Sequence, residues 1–358
     1  MSRGLSGTKR LRYAHYRLPT PLGIAAQLGW IEAAFDHDRI AVRALHSGAD
    51  PKSSGSDVDP WLANSFRQGG SIPAIWSRAG GRDTRLLGLT WTDESQAILT
   101  RADSDIHAVA DLKGKRLGVV TCPSDPIDVS KATTIRAYMA ALQSQGLSEK
   151  DVQFVDLPTA EVSLAGRLSL QEDLASCKEA RALQGGDVDV VFCKGPRGLD
   201  LAEVTGARTV YDLGGHPDPK VRINNGSLRT LTASASLVEN DFPLVVRLVK
   251  KIVQAGWWAE THREETLRKL AEETRSSESA IVRAYGSDVH RHLRTDLAPT
   301  SVAALGDFVG FLAEWRLIPG SFDVHTWIDA RPLDQALAEL AEERELSDSM
   351  STGLRLPV

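Results

Sequence analysis

Short apolar runs separated by turn residues, and longer stretches with apolar positions at helical spacing, predict a chain in which strands and helices alternate. Residues 11–14 read as a strand, and Thr20 caps a following helix with Pro21 at its first position. Leu22, Ala25, Ala26 and Trp30 fall on one face of that helix, and residues 40–45 form a second strand. Strand, helix and parallel strand make a βαβ unit whose natural ligand site is the loop after the first strand, which holds His15, Tyr16 and Arg17. Residues 47–59, rich in Gly, Ser and Asp, predict a loop reaching over that site. Residues 61–66 predict a helix ending at Arg67-Gln68-Gly69-Gly70; an apolar run resumes at 72–76, and strands follow at 86–90 and 96–100.

The stretch Asp111-Leu-Lys-Gly-Lys-Arg-Leu-Gly-Val-Val120 carries a polar run with Gly114, then a short strand, then the turn residues Thr121-Cys122-Pro123. With the strand at 96–100 and the exposed turn at 101–105 it reads as strand, crossover, strand. Beyond it lie a helix at 132–145 stopped by Gly146, strands at 152–156, 187–192 and 207–213, and a helix at 172–183 between the first two. Residues 231–234 suit a return strand, Pro243 opens a long helix, and further helices are expected at 264–273, 278–285 and 301–315. The expected division is a first lobe of residues 1–105 plus 231–330, a second lobe of 106–230, and a helical tail over 331–358.

Composition narrows the class of function. At 358 residues the chain suits two domains, and 42% hydrophobic with 25% charged residues is ordinary for a globular protein. A net charge of −5 argues against general nucleic-acid binding, and no stretch approaches the roughly 20 apolar residues of a membrane span. The first ten residues are basic without an apolar run behind them, so no secretory signal is read there. Three cysteines with no metal-type spacing favour reduced thiols, and the two observations together lead to an expected cytoplasmic location. No metal or organic cofactor is expected; His290 and His292 flank Arg291 and would point to different helix faces.

The order of residues 22–30, Arg67-Gln-Gly-Gly70, Asp111-Leu-Lys-Gly-Lys-Arg-Leu-Gly118, Gly186-Asp-Val-Asp189, Gly206-Ala-Arg208 and Leu244-Val-Val-Arg-Leu-Val-Lys250, with Ala255-Gly-Trp-Trp258 behind it, resembles the hydroxybiphenyl-sulfinate desulfinase family of bacterial dibenzothiophene desulfurisation. More distantly it is similar to the sulfonate- and taurine-binding proteins of ABC importers. The resemblance implies an α/β, two-lobed periplasmic-binding-protein type II fold with a cleft between the lobes and extra C-terminal helices. It also implies a cytoplasmic enzyme that removes sulfite from an aromatic sulfinate without a cofactor. In that family an arginine of the Arg-x-Gly-Gly motif holds the sulfinate, which carries over to Arg67, with Gly69 and Gly70 presenting backbone amides. The family's catalytic cysteine falls where Tyr16 stands, and its active-site histidine where Asp57 stands. The alternatives are a solute-binding protein for sulfonate-like anions and a lyase or decarboxylase on the same fold.

Read by their chemistry, the candidates are these. Arg67 beside two glycines can grip two oxygens of a carboxylate, sulfinate or sulfonate. His15 is an acid or base suited to neutral pH and Tyr16 a proton donor; both equally suit packing under a lid. Cys122 and Cys193 directly follow second-lobe strands and are expected to face the cleft, Cys193 with Lys194 beside it and Cys122 ahead of helix amides, features that favour a thiolate. The alternative for both is an inert, buried thiol. The expected partner is a small organic anion.

Overall fold

The computed structural model describes residues 10–15, 18–38, 40–45, 65–123, 125, 127–159 and 177–353. Strand β1 (Arg10–His15) leads into helix α1 (Pro21–Gln27), whose start is fixed locally: Thr20 Oγ1 accepts from Gly23 N at 3.0 Å and Pro21 supplies a pre-set φ. Gly29, at φ 71°, breaks the helical run, so Trp30 opens a separate helix, α2 (Trp30–Phe35), before β2 (Ala41–Leu45). β1 and β2 pair in parallel, as the βαβ reading requires.

The next element departs from expectation. Residues 65–70, expected as the end of a helix, form strand β3 (Ser65–Gly70), and the helix, α3 (Ser71–Ala79), begins only after the glycines. All six residues of β3 are buried between β1 and a later strand, so partners distant in sequence decide its conformation. β4 (Thr84–Trp91) then ends the chain's first pass through this lobe.

β5 (Gln96–Thr100), expected in the first lobe, belongs to the second sheet. That sheet adds β6 (Arg116–Thr121), helix α4 (Val129–Ser144), β7 (Gln153–Pro158), α5 (Lys178–Gln184), β8 (Val190–Lys194), α6 (Gly195–Thr205) and β9 (Arg208–Asp212). β5 lies antiparallel between β8 and β9, so the chain changes lobe at residues 92–95 and not at 105. The short helix α7 (Pro219–Arg222) precedes the return crossing, and β10 (Leu228–Ser234) re-enters the first sheet antiparallel to β3 and β4. The sheets run β2-β1-β3-β10-β4 and β7-β6-β8-β5-β9. These are two α/β lobes of the expected periplasmic-binding-protein type.

Helices α8 (Ala235–Asn240), α9 (Phe242–Thr261), α10 (Arg263–Thr274), α11 (Glu278–Tyr285), α12 (Pro299–Glu314) and α13 (Arg331–Gly353) complete the chain. One face of the first sheet, with Leu11, Phe66, Leu87 and Leu231, packs under α1, α9, α10 and α11. The apolar cluster on its other face runs from Ile72 and Leu86 through Val302, Leu305 and Phe308 of α12 to Leu117 and Tyr138 of the second lobe. The lobes therefore share a core as well as two chain crossings. α13, expected as a tail, buries Leu333, Ala336 and Leu340 against the first lobe, and Lys250 of α9 bonds its Glu339 and Glu343 at 3.0 and 2.7 Å. Among the described residues no helix is long and apolar enough to cross a membrane.

Candidate functional site

The carboxyl end of β3 in one lobe and of β8 in the other lie against the two crossings, Gly70 against Asn225 and Lys194 against Glu94, and sheets of this kind hold ligands at such strand ends. The crossings run side by side, with Thr92 N donating to Ser227 O at 2.9 Å. Asn225 in the second crossing covers the start of α3: its backbone oxygen accepts from Ser71 N at 3.2 Å and its Oδ1 from Ile72 N at 2.9 Å. A Cβ on Gly70 would lie 2.6 Å from both Asn225 side-chain atoms, so glycine is required there. Gly69 and Gly70 are ladder residues of β3 opposite Thr230 and Arg229.

Arg67 is 2% exposed, and its Nη2 donates to Gly70 O at 2.8 Å. The guanidinium thus braces the carboxyl end of its own strand. Arg67 also lines a cavity of about 190 Å³ with Ser65, Thr84, Thr232 and Ser234, which opens at the amino ends of β3 and β4, away from the crossings. The neighbouring Gln68 ties three elements together, accepting from Leu22 N at 2.8 Å and donating to Thr90 Oγ1 at 3.2 Å.

Across the junction, Lys194 at the end of β8 donates to Glu94 Oε1 at 2.7 Å, and Glu94 is buried. Gly226 and Gly214 leave room for Glu94; a Cβ on either would fall within about 2 Å of it, at 1.9 Å from Oε1 and 2.0 Å from its backbone oxygen. Next to Glu94, Asp93 accepts from Arg222 Nε at 2.9 Å and from Trp91 Nε1 at 2.6 Å. Arg229, opposite Gly70 and Thr90 in the ladder, is 0% exposed, and none of its three guanidinium nitrogens has a hydrogen-bond partner among the described residues. Its guanidinium carbon stands 5.9 Å from the centre of the Tyr285 ring. Burial lowers the Arg229 pKa, against the pull of Tyr285, Glu94 and Asp93; burial likewise raises that of the Tyr285 hydroxyl.

The cysteines separate. Cys122, at the end of β6, is buried ahead of α4; its N–H donates to Asp128 Oδ2 at 2.7 Å and its Sγ receives Thr159 Oγ1 at 3.3 Å. Cys193 does not face the cleft as expected. It sits in an apolar cluster with Ala97, Cys177 and Leu201, and burial, reinforced by Glu179, pushes its pKa far up. The expectation of a thiolate there fails because alternate residues of β8 take opposite faces: Lys194 goes to the junction and Cys193 to the core. Tyr16 and Asp57 lie outside the described residues, and His15 is the last residue of β1.

Three residues of the junction escape sequence reasoning: Glu94, Asn225 and Arg229. Only Arg229 leaves a trace, as a charge in strand register with Leu231 and so on the core side of an apolar run. Among the described residues no group of His, Cys, Asp and Glu could hold a metal ion.

Residues 74–167 match the family described as NMT1/THI5 like. The 2'-hydroxybiphenyl-2-sulfinate desulfinase of Rhodococcus erythropolis is 30% identical over 357 residues, spanning 91% of this chain and 93% of that protein. A cysteine-to-serine mutant of the enzyme DszB, solved in complex with biphenyl-2-sulfinic acid, superposes with a TM-score of 0.69 at 26% identity, over 92% of this chain and 99% of its own. The periplasmic aliphatic sulphonate binding protein SsuA of Escherichia coli shares the fold, with a TM-score of 0.65 at 18% identity over 90% of this chain and 92% of that one.

Proposed function

This chain belongs to the 2'-hydroxybiphenyl-2-sulfinate desulfinase family, and from that premise we propose that it binds a small aromatic sulfinate between its lobes and cleaves the carbon–sulfur bond. The observation that carries the reading is the placement of Arg67-Gln68-Gly69-Gly70 at the cleft end of a central strand, with a surplus of buried positive charge at the lobe junction beside it. A sulfinate is a small oxyanion, and a buried guanidinium with no hydrogen-bond partner among the described residues, as at Arg229, favours such a ligand over a neutral one.

The reaction needs no change of oxidation state. The ring carbon takes a proton, the carbon–sulfur bond breaks, and sulfur takes hydroxide from water and leaves as sulfite. The proton donor is His15 at the end of β1, Tyr16 next to it in the chain, or Cys122 after β6, since Cys193 is buried away from the cleft. The aromatic product leaves unchanged apart from the carbon that lost sulfur.

The test is incubation with 2'-hydroxybiphenyl-2-sulfinate and quantification of sulfite and 2-hydroxybiphenyl. His15→Gln, Tyr16→Phe and Cys122→Ser identify the donor, whose loss is expected to cost about 10²-fold or more in rate. Absence of sulfite from the wild type at high enzyme concentration ends the catalytic reading. Tyr16, standing where the family has its cysteine, favours a second reading, a binding protein for sulfur oxyanions. It predicts that the same ligand raises the melting temperature and is recovered intact.

A further inference from the structure

Helices α2, α9 and α13 of the first lobe enclose an open groove of about 710 Å³, a size that suits a small ligand, and no residue of either crossing lines it. Three of the chain's eight tryptophans do: Trp30 at the start of α2, and Trp257 and Trp258 near the end of α9. α9 fills the core with Leu248, Val249, Ile252 and Ala255, and its two indoles remain only partly buried beside them. Trp30 and Trp258 meet edge to face, with ring centres 6.3 Å apart and planes at 77°, and so form an aromatic corner. His262 stacks on Trp258 at 4.5 Å, and its Nδ1 donates to Trp258 O at 2.8 Å, which holds that wall in place.

The charges around the groove do not balance. Arg344 of α13 lies over the Trp257 ring, 3.9 Å from its centre, and Lys251 of α9 donates to the neutral Gln254 Oε1 at 2.9 Å. Among the described residues neither cation forms an ion pair. The carboxylates close to them are already engaged: Glu343 accepts from Lys250 at 2.7 Å, and Glu260 accepts two hydrogen bonds from Arg294. Burial and the neighbouring Lys250 lower the Lys251 pKa, against the pull of Glu343. An anion placed here meets two cations that lack a counter-charge of their own.

We propose that this groove is a second ligand site, which takes an aromatic anion of one or two rings: the ring packs in the corner of Trp30 and Trp258, and its carboxylate or sulfonate group meets Lys251 and Arg344. A neutral aromatic molecule leaves both cations unanswered, and an aliphatic anion leaves the indole faces unused. A ligand so placed bridges three helices and fixes α13, which closes the groove through Leu340, Glu343 and Arg344. The site is independent of the sulfinate reading of the cleft.

The test is two-dimensional NMR of the eight tryptophan indole N–H groups of the full chain, with Trp30, Trp257 and Trp258 assigned by single replacement with phenylalanine. Naphthalene-2-carboxylate and naphthalene-2-sulfonate are expected to shift these three resonances saturably. They should bind about tenfold or more tightly than naphthalen-2-ol, which is uncharged at neutral pH, and than cyclohexanecarboxylate, which has the charge without the ring. In the double variant Lys251→Gln, Arg344→Gln the affinity for both naphthalene anions is expected to fall about 10- to 100-fold, and in the wild type it should weaken as salt is raised. The other indole signals report whether the double variant keeps its fold; if it does not, the wild-type preference for the anions over the naphthol decides. Wild-type affinity in a folded double variant, or equal binding of the naphthol, overturns the proposal. Shifts confined to other indoles, such as Trp91 next to the crossing, place the anions in the cleft and overturn it as well. So does absence of binding at millimolar concentration.

Discussion

The side chain of Asn225 fills the space into which any side chain on Gly70 would project: both its terminal atoms lie 2.6 Å from the position of a Cβ there, and its backbone oxygen lies 2.7 Å away. The residue that closes the amino end of α3 thus comes from the chain's second crossing, and the glycine motif exists in part to admit it. Gly70→Ala is expected to destabilise the protein by about 1–3 kcal/mol, because the backbone oxygen cannot rotate away. Urea denaturation measures it. Asn225→Ala should recover part of the loss in the double variant, and strict additivity of the two changes would show that the contact is not what costs.

Gln68 links α1, β3 and β4 through one buried amide. Gln68→Leu preserves size but leaves Leu22 N–H buried without an acceptor, while Thr90 retains its bond to Thr295. A loss of about 1–3 kcal/mol is expected. Hydrogen exchange at the Leu22 amide should accelerate in the variant, and an unchanged exchange rate would mean that the α1 start is held by other contacts.

Cys193 makes stability depend on alkaline pH. Burial raises the pKa of its thiol in the folded state, whereas the unfolded chain releases that proton near the ordinary value of about 8.5. The contribution is therefore fully present below that value and is lost as pH rises above it toward the folded-state pKa. Tyr138, also raised by burial, extends the same trend above about pH 10. Urea midpoints of the wild type should fall between pH 7.5 and 9.5. Cys193→Ala should flatten that fall, with Cys177, raised for the same reason, leaving a residue of it. Parallel pH profiles of the two proteins would refute this assignment.

Some of the molecule could be read directly from local chemistry. Thr20 and Pro21 begin α1 through contacts within three residues of one another, and Gly146, at φ 69°, stops the chain after α4 for reasons of backbone sterics alone. The long amphipathic α9 shows its periodicity over 20 residues. The order of such elements suffices to imply two α/β lobes and the family.

β3 was not legible in the same way. Its residues become a strand because β1 supplies one neighbour and β10, more than 150 residues later, supplies the other. The placement of β5 likewise depends on β8 and β9. Cys193 and Lys194 are adjacent in sequence, yet the strand sends one into the core and the other to the junction.

By itself the sequence determined the elements whose signals are local, the alternation of strand and helix, the kinship with the desulfinases, and a list of side chains able to carry chemistry. Only the tertiary structure decided which of them meet. Burial and pairing depend on neighbours far along the chain, and Arg229 of β10 loses its water, with no hydrogen-bond partner among the described residues, only once the sheets have assembled.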